Sequence, residues 1–116
     1  MFRVVRIGDK EIPMKATAST DLRYKHIFRA DPFRIQTAPD YDIGARLVFL
    51  RQMAFVMAAS AAGRDMTALT EDDFEAWLEE FDHGAFVKAI EAIQAVYEGN
   101  EPPADDEDEA GNPNGE

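Results

Sequence analysis

The chain has 116 residues, enough for one domain with one modest core, and no cysteine, which excludes disulfides, thiol nucleophiles and thiolate metal sites. Its net charge of −11 is unevenly spread: residues 1–52 carry ten basic groups against six acids, 53–98 carry two against ten, and 99–116 carry seven acids and no base. That balance works against general nucleic-acid binding, where phosphates want a basic face.

The opening Met1-Phe-Arg-Val-Val-Arg6 lacks the apolar stretch of a signal peptide, and the longest apolar run, 53–59, is far short of the ~20 residues of a membrane span. A soluble, cytoplasmic protein with no membrane partner is expected. Residues 2–7 and 11–16 flank Gly8-Asp9-Lys10, a three-residue loop suited to a β-hairpin, in which Phe2, Val4 and Arg6 alternate with Arg3, Val5 and Ile7. Pro13 lacks an N–H, so the second strand lies at an edge or is irregular there. A hairpin alone is marginal in water and must pack on helices.

Ser19 or Thr20 is expected to cap a first helix, with Leu22, Tyr24, Ile27 and Phe28 as its apolar positions and Asp31-Pro32 as its stop. Residues 33–39 read as a loop or a frayed turn. Asp40 or Asp42 caps the longest helix, about 43–62, in which only Arg51, Gln52 and Ser60 are polar from residue 47 onward. A helix apolar nearly all round is either central to the core or meets a partner with its second face. Gly63 is its natural stop.

Thr70-Glu-Asp-Asp73 resembles a capping box with Asp73 in the place usually held by Glu or Gln. Phe74, Trp77, Leu78 and Phe81 then recur at i, i+3, i+4 and i+7, opposite Glu71, Asp72, Glu75, Glu79 and Glu80. Asp82 is expected to cap a last helix, with Phe81 and Phe86 as a hydrophobic staple and Val87, Ala89, Ile90, Ile93 and Tyr97 on its apolar side. Gly99-Asn100 ends it. Residues 101–116 hold no aliphatic side chain beyond Ala104 and Ala110 and cannot offset ~1–2 kcal/mol per residue of backbone entropy. The expected architecture is therefore mainly α: a hairpin packed on about four helices over residues 1–98, then a disordered acidic tail over 99–116.

Motifs for chemistry are sparse. Glu79 and His83 stand at i, i+4, which suits metal ligation, but two ligands across a helix break make a poor site, and an exposed helix-start histidine explains His83 as well. His26 reads as a surface residue. Asp105-Asp-Glu-Asp-Glu109 lacks the alternate ligands, central glycine and distal glutamate of a calcium loop, and reads as a solvated run. There is no phosphate loop, nucleophile elbow or dinucleotide fingerprint. No catalytic, cofactor-binding or metal-binding residue is expected, and no cofactor. Trp77 with Phe74 and Phe81 suits a core, whereas Met53, Met57 and Met66 suit either a core or an adaptable binding groove.

Three segments taken in order carry a resemblance. Lys15-Ala-Thr-Ala-Ser-Thr-Asp-Leu-Arg-Tyr-Lys-His-Ile-Phe28 follows the Ile7-Gly-Asp-Lys-Glu11 turn; Met53-Ala-Phe-Val-Met-Ala58 comes next; Phe74-Glu-Ala-Trp-Leu-Glu-Glu-Phe81 comes last. Over nearly all of residues 1–98, their order and spacing resemble the tail assembly chaperones of long-tailed, siphovirus-like bacteriophages and prophages. In such proteins a Phe-Gly-Lys-Asp-like turn often follows the first helix; Phe28-Arg-Ala-Asp31 here lacks the glycine. The resemblance implies a protein that binds and solubilises the aggregation-prone tape measure protein and helps recruit tail tube subunits. It implies action in the bacterial cytoplasm, absence from the mature virion and, in many relatives, a second form extended by ribosomal frameshifting. On this reading Met53, Phe55, Met57, Met66, Trp77 and Phe81 form the expected partner-binding set. The charge asymmetry between the two halves also suits a homo-oligomer. A different class of function, a small acidic regulator that inhibits a nucleic-acid-binding partner, fits the tail as well.

Overall fold

The computed structural model describes residues 1–99. Two strands, β1 (Phe2–Ile7) and β2 (Lys10–Lys15), precede five helices: α1 (Thr20–Phe28), α2 (Pro32–Thr37), α3 (Ile43–Ala61), α4 (Glu71–Leu78) and α5 (Ala85–Glu98). The fold is mainly helical with an N-terminal hairpin, as the sequence implies. The expected acidic tail, from residue 100 onward, lies outside the described residues.

The strands pair antiparallel with Ile7 opposite Lys10, so the loop is Gly8-Asp9, one residue shorter than expected. Gly8 has φ +64° while Asp9 stays out of the left-handed region, the II′ arrangement whose twist matches the strands. Val5, Ile7 and Met14 point inward and are buried; Phe2 and Val4 face solvent. β2 lies on α3 and β1 on α5, which supplies the apolar surface a two-stranded sheet lacks.

Helix α3 is the centre. Phe49, Leu50, Met53, Ala54, Phe55, Val56, Met57 and Ala59 are all buried, which covers every side of its middle turns. α3 is also long and apolar enough, by length and composition, to cross a membrane. The expectation drawn from the run 53–59 alone missed this. In the fold its apolar side chains form the core instead, and only its first turns keep Ile43 and Val48 exposed. Asp42, one of the two caps expected, takes the Ala45 N–H at 2.9 Å.

Aromatic rings run as one connected chain through the interior. Tyr97 meets Phe49, Phe49 meets Tyr24, Tyr24 meets Phe28, Phe28 meets Phe74, Phe74 meets Phe55 and Phe55 meets Trp77, with centroids 4.9–5.8 Å apart in tilted or edge-on geometry. These are the separations and angles that aromatic quadrupoles favour.

Several ends differ from expectation, each for a local reason. Residues 33–37 form a short helix rather than a loop or frayed turn: Asp31 Oδ1 accepts the Phe33 N–H at 2.9 Å and Pro32 occupies the first turn, so Asp31-Pro32 starts α2. Helix α1 stops earlier, at Phe28, and its C-cap Arg29 sits at φ 58°, the left-handed geometry that glycine usually supplies there. Neither Ser19 nor Thr20 caps α1 through its side chain. Their hydroxyls serve the preceding turn, Thr20 Oγ1 accepting the Thr17 N–H at 2.8 Å and Ser19 Oγ lying 3.0 Å from Thr17 Oγ1. The Thr70/Asp73 capping box forms as expected. Asp82 does not cap α5 through its side chain; Gly84, at φ +86°, is the N-cap, and this turn lets Phe81 reach Phe86 with centroids 5.1 Å apart.

Candidate partner-binding surface

The six residues expected at a partner surface separate into two groups. Met53, Phe55 and Met57 lie wholly within the core, at 0–1% exposure. An open groove displaying them is not part of this structure, and that expectation is corrected. Two faces of α3 are covered by the hairpin and by α5, and a third by α1 and α4, so the surplus apolar surface of this helix faces neighbours within the chain. Met66, Trp77 and Phe81 lie nearer the surface. Met66 is just inside, while Trp77 and Phe81 are half-buried.

Trp77 and Phe81 stack edge-on at 4.9 Å, and Trp77 also meets Phe86 at 5.7 Å. The guanidinium of Arg51 stands 6.0 Å from the centroid of Phe86. Beside them is a small depression of about 260 Å³, with Glu79, Asp82 and His83 at its mouth. Polar side chains make up much of its lining, and Trp77 and Phe81 are packed on each other and on Phe86.

Met66 belongs to a larger cleft of about 450 Å³ between α1 and the segment joining α3 to α4. Its apolar lining is the buried Met66 and the exposed Leu22; Arg23, His26, Arg64, Asp65 and Thr67 complete it. Local bonds fix this shape. Asp65 Oδ1 accepts both the backbone N–H of Thr67, at 3.0 Å, and its hydroxyl, at 2.7 Å. Those two bonds to the charged form hold the Asp65 carboxyl below its ordinary range. Arg23 Nη1 donates to Ser60 Oγ at 2.7 Å, which ties α1 to the end of α3. His26 Nε2 lies 3.4 Å from the carbonyl of Thr67. The result is a recess lined by apolar and charged side chains, a form that takes a protruding apolar side chain from an otherwise polar helix.

Leu22 was expected inside and is 71% exposed. The buried positions of α1 are Thr20, Tyr24, Ile27 and Phe28, the i, i+4, i+7, i+8 stripe. Leu22 lies off that stripe, and this offset was the sequence signal that marked it as outward-facing.

A polar clasp joins the helices elsewhere. The Tyr97 hydroxyl donates to Asp21 Oδ1 at 2.7 Å and accepts from Gln36 Nε2 at 3.3 Å, joining α5, α1 and α2. The Tyr24 hydroxyl donates to Gln52 Oε1 at 2.5 Å. Burial raises the ionisation of both phenols well above the ordinary tyrosine range; Glu71 adds to this for Tyr24, and the hydrogen bond to Asp21 for Tyr97. Arg46 binds Gln94 and Glu91 and so ties α3 to α5.

Among the described residues, no three His, Asp or Glu side chains converge as a metal site requires. His83 is exposed at the depression beside Phe81. Compared with protein-family models, with curated proteins and with solved structures, the chain matches none.

Proposed function

We propose that this chain is a tail assembly chaperone of a long-tailed bacteriophage or prophage, which binds and solubilises the tape measure protein and helps recruit tail tube subunits. The observation that carries the reading is the Leu22–Met66 cleft: a buried methionine and an outward-facing leucine lining a recess together with charged side chains, on a small helical body. It suits a long helical partner, which docks apolar side chains at i, i+3, i+4 spacing into such recesses. The three motif segments that resemble those chaperones, at 15–28, 53–58 and 74–81, support it. The reading is of a holding protein rather than an enzyme, acting in the host cytoplasm.

This reading keeps Met66 from the expected set, drops the buried Met53, Phe55 and Met57, and adds Leu22. Co-expression with a tape measure protein of a long-tailed phage tests it. The tape measure protein is expected to become soluble and to co-purify with this chain, and Leu22→Glu is expected to lower the recovered complex about tenfold. No rescue and no binding, even with a frameshift-extended form supplied, would remove the reading and bring forward the acidic-regulator alternative.

A further inference from the structure

A second surface, independent of the chaperone reading, lies at the corner of α1 and α2. Lys25, Arg29 and Arg34 line an open depression of about 610 Å³ whose one acid is Asp31. Asp31 is engaged in capping α2. Four of the other cations are taken up within the fold: Arg6 pairs with Glu11, Arg46 with Glu91, Arg23 with Ser60, and Arg51 lies over Phe86; Lys10, Lys15, Arg64 and Lys88 do not share a depression with one another as the three at this corner do. Among the described residues, Lys25, Arg29 and Arg34 make no ion pair. Three like charges converge there with one carboxylate between them, and this surface favours an acidic occupant.

The chain itself carries such a segment. Residues 105–109 are Asp-Asp-Glu-Asp-Glu, five acids in succession. The end of α5 is fixed close to the cationic corner. Tyr97 is bonded to Asp21 on α1 and to Gln36 on α2, and Lys25 lies one helical turn, about 6 Å, beyond Asp21. From Gly99 to Asp105 is six residues, a reach of at most about 20 Å. The stretch 71–80 is no competing site for an acidic segment, because it presents Glu71, Asp72, Glu75, Glu79 and Glu80, all exposed.

We propose that the acidic run 105–109 docks within the same chain on the cationic corner made by Lys25, Arg29 and Arg34. The contact would hold this corner against outside anions and keep the acidic run from neighbouring copies. Since it is made between exposed charges, salt weakens it, as the screening length falls to about 3 Å at about 1 M.

Zero-length carbodiimide cross-linking of the dilute full chain, followed by peptide mapping, tests this. Lys25 is expected to link to 105–109 within one chain at least tenfold more often than Lys10, Lys15 or Lys88 does. In the full chain carrying Arg29→Gln and Arg34→Gln, that preference is expected to fall to parity. The amide resonances of residues 25–35 are expected to move in the full chain bearing Asp105→Asn, Asp106→Asn, Glu107→Gln, Asp108→Asn and Glu109→Gln, and to move likewise in about 1 M salt. Links spread evenly over the four lysines, links found only between two copies, or amides unmoved by neutralising the run would each overturn the proposal.

Discussion

Met57 and Leu22 are both apolar residues on helices, yet the structure gives them opposite roles. Met57 is fully buried, so Met57→Glu places an unpaired charge in the core and is expected to cost more than about 3 kcal/mol, enough to unfold a small domain. Met53→Glu is expected to do the same. Leu22→Glu changes an exposed side chain and is expected to leave the thermal midpoint within a few degrees of the parent while weakening partner capture. Circular dichroism melts of the three variants check this contrast. A folded Met57→Glu protein would mean that α3 is less enclosed than the structure has it. Methionine content at 53–57 was legible in the sequence; which way each side points was not, since a helix apolar all round carries no phase. The offset of Leu22 from the Tyr24, Ile27, Phe28 stripe was legible and went unused.

At the scale of elements, the hairpin turn depends on Gly8. A Cβ there would meet only Ala85 Cβ at 3.4 Å, an ordinary contact, so space is not the difficulty. Its φ of +64° is. Gly8→Ala is expected to cost about 1 kcal/mol or more, partly offset by the lower entropy of the unfolded chain, and a shift in the denaturant midpoint at constant slope measures it. An unchanged midpoint would show that the turn relaxes to another type. The elements with strong local signals were readable in advance: the alternation around Gly8, the Asp42 cap, the Thr70/Asp73 box and the first three positions of the stripe, Phe74, Trp77 and Leu78. Two of the misplaced boundaries involve residues that can serve either of two neighbours. Asp31-Pro32 stops one helix by its effect on the preceding residue and starts another through the Asp31 carboxylate. The hydroxyls of Ser19 and Thr20 had two possible customers, and the upstream turn took them. Phe81 leaves the helical stripe because packing on Trp77 and Phe86 outweighs one more turn of α4.

Over the whole molecule, the connected rings and the Tyr97 clasp join all five helices, which makes the tyrosines reporters of global stability. All three are shifted upward, Tyr24, Tyr41 and Tyr97 alike, chiefly by burial. The fold therefore favours the protonated phenol. Its contribution is fully present below the ordinary tyrosine value of 10.0 and is lost as pH rises through the higher folded values. Stability is expected to decline only above about pH 10, and phenolate absorbance to rise together with the loss of helical dichroism. Three phenols titrating near 10 in a chain that stays folded would contradict the enclosed placement of Tyr24 and Tyr97. The central claim, that this body holds a helical tape measure protein at the Leu22–Met66 cleft, is tested most directly by titrating the isotope-labelled full chain with overlapping peptides from that protein. The account predicts saturable amide shifts centred on Leu22, His26, Met66 and Thr67, absent in Leu22→Glu. Tight binding that leaves those four unmoved, or no binding by any peptide, would contradict it.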